Sequence, residues 1–208
     1  MFDINIQSSI RFDVDKVIYF DPIKLDESHD ADYIFITHPH YDHFDKETIL
    51  NLKNDYTKII GPKDIYEDAL EMGFSEDKIM TVMPNETYDL DDMNFKCVPA
   101  YNIDKPYHLK EYNWVGYVME IAGIIYYIAG DTDALLENED IICEVAMVPI
   151  GGTYTMDARE AAAFVNKMKP KVVVPYHYGM VVGTEDDFKL FASLVDSGIT
   201  VQRAYEKN

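Results

Sequence analysis

Three of the six histidines in this 208-residue chain lie within one heptapeptide, Thr37-His38-Pro39-His40-Tyr41-Asp42-His43. The apolar run Tyr33-Ile34-Phe35-Ile36 comes directly before it, which predicts a buried strand that ends at the cluster. Buried neutral imidazoles each need a hydrogen-bond partner, and charged imidazoles repel one another. A divalent cation removes both costs, because the neutral imidazole nitrogen is a good ligand for it. The sequence therefore predicts a metal site rather than a solvated histidine-rich loop.

The spacing within the cluster indicates how its ligands are divided. From an extended loop, His38 and His40 can reach one ion, whereas Asp42 and His43 can turn toward a second. Imidazole and carboxylate ligands suit zinc, manganese or iron, and zinc is the default expectation. We therefore expect one or two divalent ions.

The charge of the chain narrows its possible partners. Eighteen Lys and Arg residues against thirty-eight Asp and Glu residues give a net charge of −20. This charge argues against binding to nucleic acid and to anionic membranes. It does not exclude an anionic substrate, because a bound metal reverses the sign of the potential locally. We expect a small-molecule substrate, and the sequence does not predict the oligomeric state.

The composition and the absence of linker segments favour a single folded domain that comprises residues 1–208. Apolar residues make up 48% of the chain, and it has no linker, low-complexity tract or internal repeat. Cys97 and Cys143 both lie in apolar runs and are expected to be buried thiols in a reducing cytoplasm. Neither a signal peptide nor an apolar run of about 20 residues is visible, so we expect a soluble cytoplasmic protein.

Hydrophobic periodicity predicts two strand-rich halves that each end in helices, an α+β architecture with two helix-covered sheets. Ala122-Gly123 predicts a hairpin turn. Asp157 is expected to cap the helix that follows it. Asp133 is expected to cap a second helix, over residues 134–136, rather than to support a metal ligand. Strands are predicted at residues 10–14, 17–20, 33–36, 58–60, 79–83, 95–99, 115–121, 124–129, 145–150, 172–174 and 199–204, and helices at 46–54, 63–72, 158–168 and 186–195.

The pattern H-x-H-x-D-H after a strand resembles the signature of the metallo-β-lactamase superfamily. Gly130-Asp131-Thr132 resembles the metal-bridging aspartate motif of that superfamily, and Pro175-Tyr176-His177-Tyr178-Gly179 resembles its last histidine motif. The order of the three segments and their positions at predicted strand ends match over nearly the whole chain. Within the superfamily the chain is most similar to lactonase-like and uncharacterised metal-dependent hydrolases, on the segments Asp21-Pro22, Tyr41-Asp42-His43, Gly116-Tyr117 and Gly151-Gly152-Thr153-Tyr154.

This resemblance implies a four-layered αβ/βα sandwich with metal ions at the sheet edges. It implies hydrolysis of a small ester, lactone or phosphodiester by a metal-bound hydroxide. Asp42 and Asp131 are the catalytic candidates, because they would fix that hydroxide, and Asp42 would carry a proton to the leaving group if the second site is empty. The implied metal ligands are His38, His40, Asp42, His43, Asp131 and His177.

One position departs from the family pattern. The superfamily usually places a further metal-binding histidine between the first motif and the bridging aspartate, just after Pro99-Ala100-Tyr101, where this chain has Asn102. The remaining histidine in the interval is His108, six residues on. Three interpretations stay open: His108 is the third ligand of the first ion, Asn102 is a weak oxygen ligand or orients a water, or the first ion is lightly bound. A surface or pocket histidine beside Lys105 and Lys110 is the structural alternative for His108.

Substrate-side candidates are Tyr101, Asn102, Gly152, Thr153 and Tyr154. The glycine-rich segment follows a predicted strand and precedes a helix, so its N–H groups could meet a substrate oxygen. A tight turn that needs glycine for positive φ is the alternative. Three other classes of protein are alternatives: a catalytically degenerate metal-binding protein, a phosphodiesterase acting on RNA or DNA, and a binuclear iron redox protein. The net charge of −20 counts against the phosphodiesterase acting on RNA or DNA.

Overall fold

The computed structural model describes residues 2–91 and 93–204. Backbone contacts divide the chain into two compact units, residues 1–83 and residues 84–208, here called the first unit and the second unit. Each unit contains one mixed sheet. The assignment of both units to a single domain stays a prediction.

The first unit contains a six-stranded sheet whose strands lie side by side in chain order. The first three strands are antiparallel neighbours, and the third to sixth are parallel. Short helices connect the last three strands, as parallel neighbours require a crossover. The elements are β1 (Phe2–Ile4), β2 (Ile10–Asp13), β3 (Val17–Phe20), β4 (Tyr33–Phe35), α1 (Lys46–Leu52), β5 (Lys58–Pro62), α2 (Tyr66–Glu71) and β6 (Ile79–Val82), with 3₁₀ turns at Lys63–Ile65 and Glu76–Lys78.

The helices of the first unit pack on the parallel part of its sheet. Ile49 and Leu52 of α1 lie in one buried apolar cluster with Ile34 of β4 and Ile59 of β5. Apolar residues three apart share one face of a helix, so α1 needs little more than two turns to supply this contact. This packing holds the carboxyl end of β4, where the histidine cluster begins.

The second unit contains a seven-stranded sheet, also in chain order. Its first four strands are antiparallel neighbours and its last four are parallel. The predicted hairpin at Ala122-Gly123 is confirmed, and both residues have the positive φ that a two-residue hairpin turn requires. The elements are β7 (Thr87–Leu90), β8 (Met93–Pro99), β9 (Val115–Ile121), β10 (Ile124–Ile128), β11 (Val145–Pro149), α3 (Ala158–Met168), β12 (Val172–Tyr176), α4 (Glu185–Leu194) and β13 (Thr200–Val201), with 3₁₀ turns at Lys110–Tyr112 and Leu136–Asn138.

The predicted apolar face of α3 is confirmed. Ala161 and Val165 are fully buried in one cluster with Ala146 of β11 and Val173 of β12. Alanines at the centre of this face let the helix approach the sheet closely. None of the described helices is long and apolar enough to cross a membrane.

Asp157 caps α3 as predicted, and its replacement tests that role. Its carboxylate accepts hydrogen bonds from the N–H groups of Arg159 and Glu160, while the Glu160 side chain accepts from the Asp157 N–H. Asp157→Ala removes the acceptor for two otherwise unsatisfied donors, so we expect a loss of about 1 kcal/mol in the free energy of unfolding. Urea denaturation measures this, and Glu160→Gln, which keeps the reciprocal acceptor, is the matched control. An unchanged unfolding midpoint for Asp157→Ala contradicts the prediction.

Both cysteines are free thiols, Cys97 fully buried and Cys143 half-buried. Burial raises the pKa of Cys97, and it raises the pKa of Cys143 to about 12. The thiolate is the reactive form, so we expect the native protein at pH 8 to react with a disulfide reagent at least about 100-fold more slowly than the unfolded chain. Reaction should accelerate as the pH rises toward 12. Comparable rates for native and guanidinium-unfolded protein contradict the prediction.

Candidate metal centre

The histidine cluster begins where two parallel strands of the first unit end. Strands β3 and β4 run in the same direction, so Asp21 after β3 and Thr37 after β4 emerge at one edge of the sheet. The carboxylate of Asp21 accepts hydrogen bonds from the Thr37 backbone N–H (2.8 Å) and from the Thr37 hydroxyl (2.6 Å). These bonds fix the start of the segment that carries the histidines.

Asp21 also holds one imidazole of the cluster. Nδ1 of His43 lies 2.7 Å from Oδ2 of Asp21 and 3.0 Å from Oγ of Ser8, and the ring is fully buried. Burial raises the pKa of the Asp21 carboxyl, and attraction to His43 opposes that rise. A carboxylate that accepts from Nδ1 directs Nε2 of the same ring toward a ligand, the arrangement typical of metal-binding histidines. In the sequence, Asp21 is marked only as part of the segment Asp21-Pro22, so its contact with His43 was not predicted.

The other members of the cluster lie close together. Nε2 of His38 is 3.1 Å from Nδ1 of His40, and Oδ2 of Asp42 is 3.7 Å from Nε2 of His43. Nδ1 of His38 lies 3.0 Å from the hydroxyl of Thr37. His38, Asp42 and His43 are all buried, and His40 is half-buried. The first unit thus brings together the four ligands predicted from its sequence.

Gln7 contributes to the cluster without having been predicted. It lies between β1 and β2, is fully buried, and donates from Nε2 to Oδ2 of Asp42 at 2.9 Å. Its backbone has φ of +55°, which is uncommon for a residue other than glycine. No sequence signal marked it, because it depends on where an irregular loop places one side chain.

The second unit presents its own candidate ligands at one edge of its sheet. Strands β8, β10 and β12 run in the same direction, so the segments that follow them emerge together. Asp131 follows β10 and His177 follows β12, as predicted. Asn102 and, further on, His108 follow β8.

Two imidazoles converge on one carboxylate oxygen in the second unit. Oδ2 of Asp131 lies 3.1 Å from Nε2 of His177 and 3.5 Å from Nε2 of His108. All three side chains are buried, His108 to 1% exposure. His108 is therefore not a surface residue, whereas its role as a metal ligand or as a pocket residue stays a prediction. Imidazole and carboxylate groups are the donor types that zinc, iron and manganese accept. These three buried groups lie against one another, so they fit a divalent cation.

The backbone at His177 adopts a left-handed conformation. Its φ is +56°, a region in which L-residues are strained. The neighbouring segment is shaped to fit: a Cβ on Gly151 would overlap the carbonyl oxygen of His177. Glycine at position 151 thus allows the close approach that places His177.

The residues predicted to bind substrate have different surroundings in the structure. The hydroxyl of Tyr101 donates to Glu137, and Tyr101 and Asn102 line a surface cavity of about 430 Å³. Gly152 has φ of +75° and donates its N–H to the Met156 carbonyl, which favours the tight-turn alternative over binding of a substrate oxygen. The ring of Tyr154 packs against that of Tyr107, and Thr153 is exposed. Substrate binding by these residues stays a prediction.

Asp133 does not cap a helix, which corrects the sequence analysis. Residues 132–135 are irregular and a 3₁₀ turn begins only at Leu136. The carboxylate of Asp133 instead accepts hydrogen bonds from the Asn102 side chain, the Ile103 backbone N–H and the ammonium group of Lys105. Lys110 is paired with Glu137 in the same unit. Both lysines are thus engaged by carboxylates, which weakens their expected role in attracting an anion.

The match to a family model defines the class of protein. The model of the beta-lactamase superfamily domain matches residues 7–177, a span that contains the first two motifs and ends at His177 of the third. The chain belongs to this family, and it is a metal-dependent hydrolase of the metallo-β-lactamase class. The α+β fold class predicted from the sequence is confirmed.

Three similar proteins show how close the chain is to known members of this class. A UPF0173 metal-dependent hydrolase from Thermococcus onnurineus is 32% identical over 172 residues, which cover 78% of this chain and 75% of that protein. The crystal structure of a protein described as a metal-dependent hydrolase from Parabacteroides distasonis is 29% identical, with a TM-score of 0.79 over 95% of this chain and 89% of that chain. A metallo hydrolase from Ignicoccus hospitalis has the same fold, at 24% identity and a TM-score of 0.78 over 97% of this chain and 93% of that chain.

Proposed function

We propose that this protein hydrolyses a small ester, lactone or phosphodiester in the cytoplasm, using one or two zinc ions. The family and the names of its relatives support metal-dependent hydrolysis. The net charge of −20 favours a small molecule over a nucleic acid as substrate. Free thiols at both cysteines are compatible with a reducing compartment.

The proposed metal ligands are buried groups, apart from the half-buried His40. The observation that carries the proposal is the convergence of His177 and His108 on one oxygen of Asp131, because two buried imidazoles and a carboxylate form a cation-binding donor set. The hydrogen bond from His43 to Asp21 supports it independently, since this pairing orients a ligating imidazole. The proposed ligands are His38, His40, Asp42 and His43 in the first unit and His108, Asp131 and His177 in the second.

The residues of the chain divide the work of the proposed reaction. A divalent cation, when bound, lowers the pKa of a water molecule toward about 7 and polarises a substrate oxygen. Asp21 and Thr37 hold the rings of His43 and His38 by their Nδ1 atoms. Gln7 donates a hydrogen bond to one oxygen of Asp42, which restrains that carboxylate. If the second metal site is empty, Asp42 carries the proton to the leaving oxygen; if that site is occupied, Asp42 is a ligand of its ion.

Metal content and turnover test the proposal together. Protein purified without added metal is analysed by elemental mass spectrometry and assayed on a chromogenic phosphodiester, a panel of lactones and esters, and RNA. We expect one or two zinc ions per chain, turnover of at least one substrate, loss of turnover on chelation and recovery on adding zinc. Protein that stays metal-free after reconstitution overturns the proposal. Bound metal without turnover points to a degenerate scaffold, and cleavage of RNA alone points to a nuclease; each of these outcomes also contradicts it.

A further inference from the structure

Asn102, in the segment after β8, is buried in a dense set of hydrogen bonds. Its exposure is 5%. Its Nδ2 lies 3.1 Å from Oδ1 of Asp133 and 2.8 Å from the carbonyl oxygen of Tyr154. Its Oδ1 lies 3.0 Å from Nδ1 of His108 and 3.2 Å from the His108 backbone nitrogen. Every polar atom of this side chain therefore has a defined partner.

These partners fix which way the amide points. A carbonyl oxygen only accepts hydrogen bonds, and an ionised carboxylate does the same. If the amide were rotated by 180°, its oxygen would face two acceptors and its NH₂ group would face the His108 backbone N–H. The observed orientation is the one in which all contacts pair a donor with an acceptor. The oxygen of Asn102 consequently faces the ring of His108.

A salt bridge holds Asp133, which accepts a hydrogen bond from Asn102. The ammonium group of Lys105 contacts Oδ1 of Asp133 and donates to the carbonyl oxygen of Thr155 at 2.8 Å. The Asp133 carboxylate therefore accepts from both the Lys105 ammonium group and the Asn102 amide. Asn102 thus cannot rotate without losing a charge-assisted hydrogen bond.

The orientation of Asn102 decides where His108 carries its proton. An amide oxygen can only accept, so Nδ1 of His108 must donate and therefore carries hydrogen. In the neutral ring Nε2 then holds a lone pair, and this atom lies 3.5 Å from Asp131. The ring also packs edge-on against Trp114, with centroids 5.5 Å apart, which restricts its tilt.

We propose that Asn102 is a positioning residue that holds His108 in the tautomer protonated on Nδ1, so that Nε2 serves as a metal donor beside Asp131. The ligand role of Nε2 rests on the proposed function, whereas the tautomer does not. In this arrangement a side chain in the segment after β8 orients a histidine that lies six residues further on.

Nitrogen NMR of the metal-free protein tests the tautomer directly. The chelated, ¹⁵N-histidine-labelled protein is measured at a pH where His108 is neutral, and its signals are assigned with His108→Gln. We expect a protonated Nδ1 and an unprotonated Nε2. Asn102→Leu, which removes the acceptor at Nδ1, should lose this tautomer. An Nε2-protonated ring in the wild-type protein overturns the proposal, whether or not any variant folds.

Metal affinity provides the second readout. We expect Asn102→Leu to raise the zinc dissociation constant about 10- to 100-fold in competition with a chromophoric chelator. Asn94→Leu, the same substitution at an exposed position on β8, should leave affinity and tautomer unchanged. If the wild-type protein binds zinc and folded Asn102→Leu binds it equally well, this inference fails while the proposed function stands. If the wild-type protein binds no metal, the proposed function and the ligand role fail, and NMR still decides the tautomer.

Discussion

Replacing Asp131 with alanine is expected to reduce hydrolysis by roughly 10³-fold or more, the largest effect we predict for one substitution. The carboxylate is buried, and its Oδ2 lies within 3.5 Å of both His108 and His177. Its removal deletes one proposed ligand and leaves two buried imidazoles without the negative charge that favours a cation between them. Both metal content and turnover should therefore fall.

The measurement compares kcat/KM and metal per chain for Asp131→Ala with those for Asp104→Ala. Asp104 is exposed in the same unit and is not a proposed ligand, so its replacement removes an equal charge at the surface. We expect the control to match the wild-type protein in both quantities. Retention of full metal content and turnover by Asp131→Ala would remove this residue from the metal site.

Asp21→Asn should lower zinc affinity and turnover by about 100-fold although Asp21 is not a proposed ligand. The carboxylate receives three hydrogen bonds, from the Thr37 N–H, the Thr37 hydroxyl and Nδ1 of His43. An asparagine of the same shape has one oxygen and one NH₂ group. In either orientation the NH₂ group faces a donor, so His43 must change tautomer or a buried hydrogen bond must be lost.

Asp15→Asn is the matched control, since Asp15 is exposed in the turn between β2 and β3. It should bind zinc and turn over substrate like the wild-type protein. Thermal unfolding of both variants separates a lost metal site from a lost fold. A folded Asp21→Asn variant with wild-type affinity would show that the pairing of Asp21 with His43 has no role in holding metal.

The motifs at strand ends were predictable because periodicity locates strands and the residues after a strand lie at a sheet edge. The His38–His43 segment, Asp131 and His177 all follow buried apolar strands, and those strands form as expected. The strands β1 and β7 were missed, since neither shows the dense apolar run that marks the others. Polar residues occupy much of each, and strand pairing rather than local preference forms them.

The contacts of Asn102, Asp133 and Gln7 were beyond sequence reasoning for a different reason. Each lies in an irregular segment, where spacing along the chain does not determine direction in space. Asp133 satisfied the sequence pattern of a helix cap, but bonds to Lys105 and Asn102 engage its carboxylate instead. Tertiary hydrogen bonds outweighed a local preference worth only about 1 kcal/mol.

The left-handed backbone at Gln7, Asp21 and His177 has a consequence for engineering this protein. Glycine adopts that conformation without steric penalty, so at these positions it relieves native-state strain but also deletes the side chain. Directed evolution that rewards survival on heating alone would therefore tend to erode these side chains. Screens for hardier variants should score turnover in every round, because robustness and chemistry compete at the same peptide units.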